Sequence, residues 1–221
     1  MAPLAYSIRR SDRARRVRVT VGGPGAVEVV LPRGASERDA RAAVDELRPW
    51  IERRLAEFGE AEAELALAPG VAPYLDERLR LVPEAGRTRA HRRGDRLLVP
   101  AGPERDPALE RWYRRAARSE IVPRLDTACA ATGTGYRRLA IRGQRTRWAS
   151  CAPDGTMSFN WRLLLAPDNV LETVVWHEVC HLEVPNHSRR FWDLLARWRP
   201  DHREHEAWLR RYGSALVLPP A

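Results

Sequence analysis

The chain has no lysine. All 38 of its basic Lys/Arg positions are arginine, set against 29 acids and leaving a formal charge of +9. Cysteine is scarce as well. Cys129, Cys151 and Cys180 are an odd, scattered set with no C-x-x-C pair, which argues against a disulfide framework. No stretch approaches the apolar run of about 18 residues that a membrane span needs. Between Met1 and Arg16 the only sizeable apolar residues are Leu4, Ala5, Tyr6 and Ile8, too few for a secretory core. The compartment expected by default is the cytoplasm. Internal repeats are absent, and so is low complexity beyond a bias to Ala, Arg and Glu.

Hydrophobic residues make up 44% of the 221 and charged ones 30%, as in soluble globular proteins of one domain or two small ones. The basic balance suits an anionic partner, nucleic acid or nucleotide. Arginine to the exclusion of lysine is also what a codon bias would produce, and acids are interleaved with it, as in Arg38-Asp39-Ala40-Arg41. The tightest clusters are Arg9 to Arg18 and His91-Arg92-Arg93. A solvated surface is the simpler account; affinity for nucleic acid or nucleotide is compatible with the charge but not demanded by it.

Period-two patterns predict strands over Tyr6–Arg10, Val17–Val21 and Val27–Leu31, the last two separated by the turn signal Gly22-Gly23-Pro24-Gly25. Ser36-Glu37-Arg38-Asp39 reads as a capped helix start, followed by Ala43, Leu47, Trp50, Ile51 and Leu55 at helical spacing. Residues 59–75 read as loop or frayed helix. Leu79–Val82 and Leu97–Val99 read as a strand pair. Pro100 to Pro107 is the best domain boundary. Beyond it, Leu109 to Ala131 reads as a long helix that Pro123 should kink or break and Gly133 should stop. Arg138–Arg142 and Met157–Leu164 read as strands. Three helices come after them: one that Asp168 can cap, one after Ser188, and one after Asp201 ending at Gly213. Seven of the eight tryptophans lie after residue 100, most of them expected in the core of that half.

The densest chemistry is His177-Glu178-Val179-Cys180-His181 followed by His187. Residues four apart on a helix share a face, so His177 and His181 can present two imidazoles to one ion. Glu178 lies about 100° around the helix, where it can reach a metal-bound water without being a ligand. Val184-Pro185-Asn186 must end the helix, and the turn can bring His187 back as a third ligand. Three neutral imidazoles and a water make an open, catalytic zinc site, suited to metal-assisted hydrolysis. Chance would place H-E-x-x-H in a chain of this length roughly 0.01 times. The spacing matches the long metzincin motif, but Val184 occupies that motif's turn glycine, so the chain is not assigned there. Cys180 is expected to be a small buried hydrophobe rather than a ligand. His202 and His205 are expected on an exposed helix face. Asn186 reads as a turn residue, and Asn160 as a sheet-surface residue before a substrate contact.

Four stretches together resemble one family. They are Arg147-Trp148-Ala149-Ser150-Cys151, Met157-Ser158-Phe159-Asn160-Trp161-Arg162-Leu163, Val175 to Leu182, and Asn186-His187-Ser188-Arg189-Arg190-Phe191-Trp192. The chain resembles the YgjP-like metallopeptidases, relatives of the SprT-like and WLM zincins, over nearly its whole length. Ala149 stands where the family usually has glycine, which matters if that position needs a positive φ. The resemblance implies an α+β fold: an N-terminal β-rich domain with one helix over residues 1–100, then a zincin-like, minigluzincin-type catalytic domain over 101–221. It implies Zn²⁺ on His177, His181 and His187, with Glu178 as the catalytic acid/base and a peptide or protein as substrate. The strand Met157–Leu164 is expected to edge the cleft and pair with the peptide. Two alternatives stay open: hydrolysis of a nucleoside triphosphate, as a UTP-type pyrophosphatase, and a SprT-like DNA-associated protease or binding module. The sequence shows no Gly-rich phosphate loop or carboxylate cluster for Mg²⁺ in support of the former.

Overall fold

A computed structural model describes residues 4–22, 26–144 and 147–219. The chain forms two compact units, one of Met1–Ala66 with Arg211–Ala215, the other of Leu67–Arg210 with Leu216–Ala221. The fold class is α+β, as expected. The boundary expected at residue 100 falls inside the second unit, because the strands between Leu67 and Pro100 pack with the helices and strands C-terminal to them.

The first unit holds a three-stranded sheet, β1 (Ser7–Arg10), β2 (Arg18–Gly22) and β3 (Ala26–Leu31), with β3 in the middle, parallel to β1 and antiparallel to β2. The predicted glycine turn at Gly23–Gly25 lies outside the described residues. Alternation on β3 decides which face is inside. Val27, Val29 and Leu31 are buried and meet Ala40, Val44 and Ile51 of the helices. Helix α1 (Glu37–Glu46) opens with the predicted capping box: Asp39 N–H donates to the Ser36 hydroxyl while the Asp39 carboxylate accepts the Ser36 N–H. Helix α2 (Arg48–Leu65) carries Pro49 in its first turn, where the missing N–H costs nothing. It continues to Leu65, so the stretch expected over residues 59–75 as loop or frayed helix begins as helix and ends as a strand over Val71–Tyr74. Its apolar stripe, with Phe58 and Ala61 buried, extends the helical period past the Glu/Ala-rich composition.

The second unit begins with a sheet of order β4-β5-β7-β6: β4 (Val71–Tyr74), β5 (Glu77–Glu84), β6 (His91–Arg93) and β7 (Arg96–Pro100). The expected strand pair is β5 and β7, and it is parallel. Helix α3 (Arg105–Thr132) runs unbroken past Pro123 and stops at Gly133, which takes the left-handed φ of 67° that favours glycine. Its buried face, including Trp112, Tyr113, Ile121 and Leu125, keeps it continuous where local propensity alone favours a break.

The second sheet of this unit has order β8-β10-β9: β8 (Arg138–Arg142), β9 (Ala149–Cys151) and β10 (Thr156–Asn160). The strand expected over Met157–Leu164 therefore stops at Asn160, whose side chain accepts the Arg162 N–H and caps a 3-10 turn over Trp161–Leu165. It is also the central strand, paired on both sides, so it is not the sheet edge expected of it; β8 and β9 are the edges. Asn160 is buried, its amide donating to the Gln144 carbonyl, rather than lying on the sheet surface.

Helices α4 (Asp168–Glu183), α5 (Arg189–Trp198) and α6 (His202–Tyr212) follow, the last two residues of α6 belonging to the first unit. Asp168 is the first residue of α4 rather than its cap, and its carboxylate takes Arg124 from α3. Arg124 also bonds Glu120 and lies 3.3 Å from Glu172, which accepts the Trp176 indole N–H. One guanidinium thus gathers three carboxylates at the α3–α4 seam. Replacing it, as in Arg124→Met, leaves those acids facing one another. The expected cost is about 1–3 kcal/mol, seen as a lower urea midpoint at unchanged m-value. An unmoved midpoint would show that solvent already screens the cluster.

Candidate metal centre

Helix α4 is apolar on most of its circumference: Val170, Leu171, Val174, Val175 and Val179 are buried along it. His177 and His181, one turn apart, share the remaining stripe. The helix ends at Val184, whose N–H still donates to the Cys180 carbonyl while its own backbone has turned extended. Pro185 comes next, and the chain reverses through Asn186, whose side chain accepts the Ser188 N–H. The reversal returns His187 beside the helix.

The three imidazoles converge, with one ring nitrogen of each lying within 4.8 Å of the others. His177 Nε2 and His187 Nε2 are 3.0 Å apart. His181 Nδ1 lies 3.1 Å from the Val184 carbonyl. A carbonyl can only accept, so Nδ1 carries the proton and Nε2 keeps its lone pair for the cluster. Tetrahedral zinc with Zn–N near 2.0–2.1 Å sets ligand nitrogens about 3.3 Å apart, and the cluster brackets that value. The donor chemistry fits as well, because two imidazole nitrogens aimed at each other repel unless a proton or a cation sits between them.

Phe191, fully buried, is the floor of the cluster. Its ring centroid lies 4.8, 4.5 and 4.8 Å from those of His177, His181 and His187. Trp192 holds the third histidine from the side: its indole N–H donates to the His187 carbonyl at 3.1 Å, and the rings sit 5.5 Å apart. Trp192 also stacks on His202, at 5.6 Å and 18°. His202 and His205 are buried, 4% and 6% exposed, which corrects the exposed face expected for them. His205 shares a 2.7 Å hydrogen bond with Thr173 of α4, and His202 faces Glu206 at 3.5 Å. Helical spacing alone cannot tell which face of α6 turns inward. The tandem Phe191-Trp192 beside a histidine was the one visible signal of a packed support.

Glu178 is 5% exposed and its Oε2 has no hydrogen-bond partner. Burial pushes its carboxyl up to about 8, opposed by the positive charge of Arg147 and by the Cys151 backbone N–H on β9. His177 is driven down to about 3, first by burial and then by its histidine neighbours. His181 is also lowered by burial, against the pull of the Val184 carbonyl. Both rings are therefore neutral at pH 7 and able to donate lone pairs. Cys180 is buried and Cys151 half-buried, their thiols pushed up to about 12 and about 11 by burial, and neither joins the histidine group. Ala149 lies in strand β9 without a positive φ, so alanine fits where the family usually has glycine.

The family model described as "YgjP-like, metallopeptidase domain" matches residues 15–212. Among solved structures, a similarity is found to the crystal structure of the metallopeptidase zymogen of Pyrococcus abyssi abylysin. Identity is 21%, the TM-score is 0.37, and 40% of this chain and 90% of that chain are covered. No curated protein matches the chain.

Burial of Glu178 has a consequence for the metal-free protein. Its folded carboxyl titrates above its unfolded one, so between about pH 4.5 and 8 the native state binds the extra proton and stability falls as pH rises. Glu178→Gln removes that penalty. The variant is expected to be more stable than the parent by about 4 kcal/mol at pH 7.5, with little difference at pH 4, in chelator-treated protein followed by urea unfolding. Equal effects at both pH values would rule out a raised carboxyl.

Proposed function

This chain belongs to the YgjP-like metallopeptidase-domain family, and we propose that it is a zinc-dependent peptidase in which His177, His181 and His187 hold the ion and Glu178 is the general base. The observation that carries this reading is the convergence of three imidazole nitrogens beside a buried carboxylate with an unpartnered oxygen. The coarser statement, a metal-dependent peptidase, rests on the family.

Bound zinc supplies Lewis acidity, which acidifies water and polarises a carbonyl. The rest is the work of this chain. Glu178 accepts a proton at Oε2 and returns it to the leaving amine. Glu178 is buried with Oε2 unpartnered, which leaves that oxygen open for both transfers. Arg147, whose charge reaches Glu178, is the cation that can offset negative charge developing on the substrate. Strand β9 supplies a docking edge. The Asn160 N–H donates to the Trp148 carbonyl and the Ala152 N–H to the Thr156 carbonyl. The alternate residues Ala149 and Cys151 therefore turn their backbone groups away from β10, toward the side of Glu178. An extended peptide can pair there with its scissile carbonyl directed at the histidines.

Phosphoanhydride hydrolysis is the weaker reading, since among the described residues no carboxylate joins the histidines in a ligand group. The deciding experiment compares the parent with Glu178→Gln on casein and on nucleoside triphosphates, with and without chelator. Casein cleavage is expected to fall by about 100-fold or more in the variant and to vanish with chelator. Cleavage of triphosphate alone, dependent on Glu178, overturns the peptidase reading. Elemental analysis should find about one zinc per chain, lost in His177→Ala.

The support around His187 predicts a separate effect on the metal. Trp192→Ala removes both the hydrogen bond and the ring that orient His187, and should weaken zinc binding about 10- to 100-fold in a chelator competition without loss of helical circular dichroism. Unchanged affinity would show that His187 needs no such support or is not a ligand.

A further inference from the structure

The first unit carries a concave site of its own. A cavity of about 380 Å³ is lined by Arg9, Arg13, Arg15, Arg16, Arg18 and Val30, with Ser11 and Ala14, and by no acidic or aromatic side chain. Strand register explains it. Val30 of the central strand lies opposite Arg9 of β1 on one side and Arg18 of β2 on the other. These three occupy the face opposite to Val29, Ile8 and Val19. The connection from β1 to β2 must pass the end of β3, where the Ser11 N–H donates to the Leu31 carbonyl, and it carries Arg13, Arg15 and Arg16 over the same place. Val30 is the floor and guanidinium groups are the walls.

Charge in this unit is unevenly divided between its sheet segment and its helical segment. Residues 4–35 hold seven arginines against Asp12 and Glu28, while residues 36–65 hold five arginines against nine acids. Both acids of the sheet segment are engaged: Glu28 takes Arg9 in a two-point bond, and Asp12 pairs with Arg33. Arg13, Arg15, Arg16 and Arg18 are exposed and have no hydrogen-bond or ion-pair partner among the described residues. A codon bias would account for arginine over lysine. It does not explain why arginines outnumber acids seven to two in the sheet segment and not in the helical one.

We propose that this arginine cavity binds the phosphodiester backbone of a nucleic-acid strand. Guanidinium matches two phosphate oxygens at once, and several unpaired guanidinium groups on an open face suit a row of phosphates rather than one. With no aromatic ring in the lining there is no platform for base stacking, so recognition is independent of sequence. The proposal stands apart from the peptidase reading, since none of its residues belongs to the histidine cluster.

The test uses the full chain and two fluorescein-labelled single-stranded 20-mers of unrelated sequence, read by anisotropy at 50–200 mM salt. The parent should bind both equally, with log K falling against log salt at a slope of about −3. The triple change Arg13→Ala, Arg15→Ala, Arg16→Ala should weaken binding at least 10-fold and flatten the slope by about 2. Arg13→Ala and Arg16→Ala alone, each expected to cost two- to five-fold, keep the test open if the triple variant does not fold. A control that removes the same charge from the second unit, Arg78→Ala, Arg93→Ala, Arg96→Ala, should change affinity less than three-fold. Equal loss in the control overturns the site in favour of bulk charge. Lack of binding at 50 mM salt overturns it outright. So does cavity-dependent binding of tripolyphosphate or of phosphatidylserine vesicles without binding of the oligonucleotides.

Discussion

The ring of Phe191 is the surface on which the three histidines rest. It touches His177, His181 and His187 at nearly equal distance and is itself fully buried. Two of those histidines are set by one turn of helix, a spacing any helix provides. The third sits on an irregular segment with no ladder hydrogen bonds to fix it. Its position depends on a proline-forced reversal, on the Val184 carbonyl that orients His181, and on the aromatic pair that opens α5. Helix α5 is therefore more than a return element, because its first turn supplies the packing that makes the reversal converge.

Burial at this place acts on the two kinds of ionisable group in opposite senses. It lowers His177 and His181, keeping them neutral and free to donate, and it raises Glu178, keeping a proton within reach at neutral pH. One apolar environment thus prepares both a ligand set and a base, with no charged partner needed on α4 itself. Strand β9 completes the arrangement, since the Cys151 N–H and the charge of Arg147 limit how far Glu178 rises.

The two units use their polar residues differently. In the second, Arg124 gathers three acids at a helix seam. In the first, most of the acids lie on the helical segment, and the sheet segment carries an excess of arginine. Alternation along β3 divides the sheet's faces: the period of two that sends Val27, Val29 and Leu31 to the core places Val30, with Arg9 and Arg18 opposite it, on the other face.

Periodicity and punctuation in the sequence determined most elements: the strands around Val29, the capped start at Ser36, the stop at Gly133, and the helix that carries His177 and His181. They also determined the ligand candidates, because a four-residue repeat of histidine has one geometric meaning on a helix. Other features were decided only by tertiary structure. Pro123 stays within a helix because long-range packing of its buried face outweighs one missing hydrogen bond. The segment Met157–Asn160 became a central strand because pairing depends on partners distant in sequence. His202 and His205 turned inward because a helix with charged and aromatic residues on several sides does not state which side its neighbours will cover. Local pattern fixes which residues share a face; only the assembled fold chooses what that face meets.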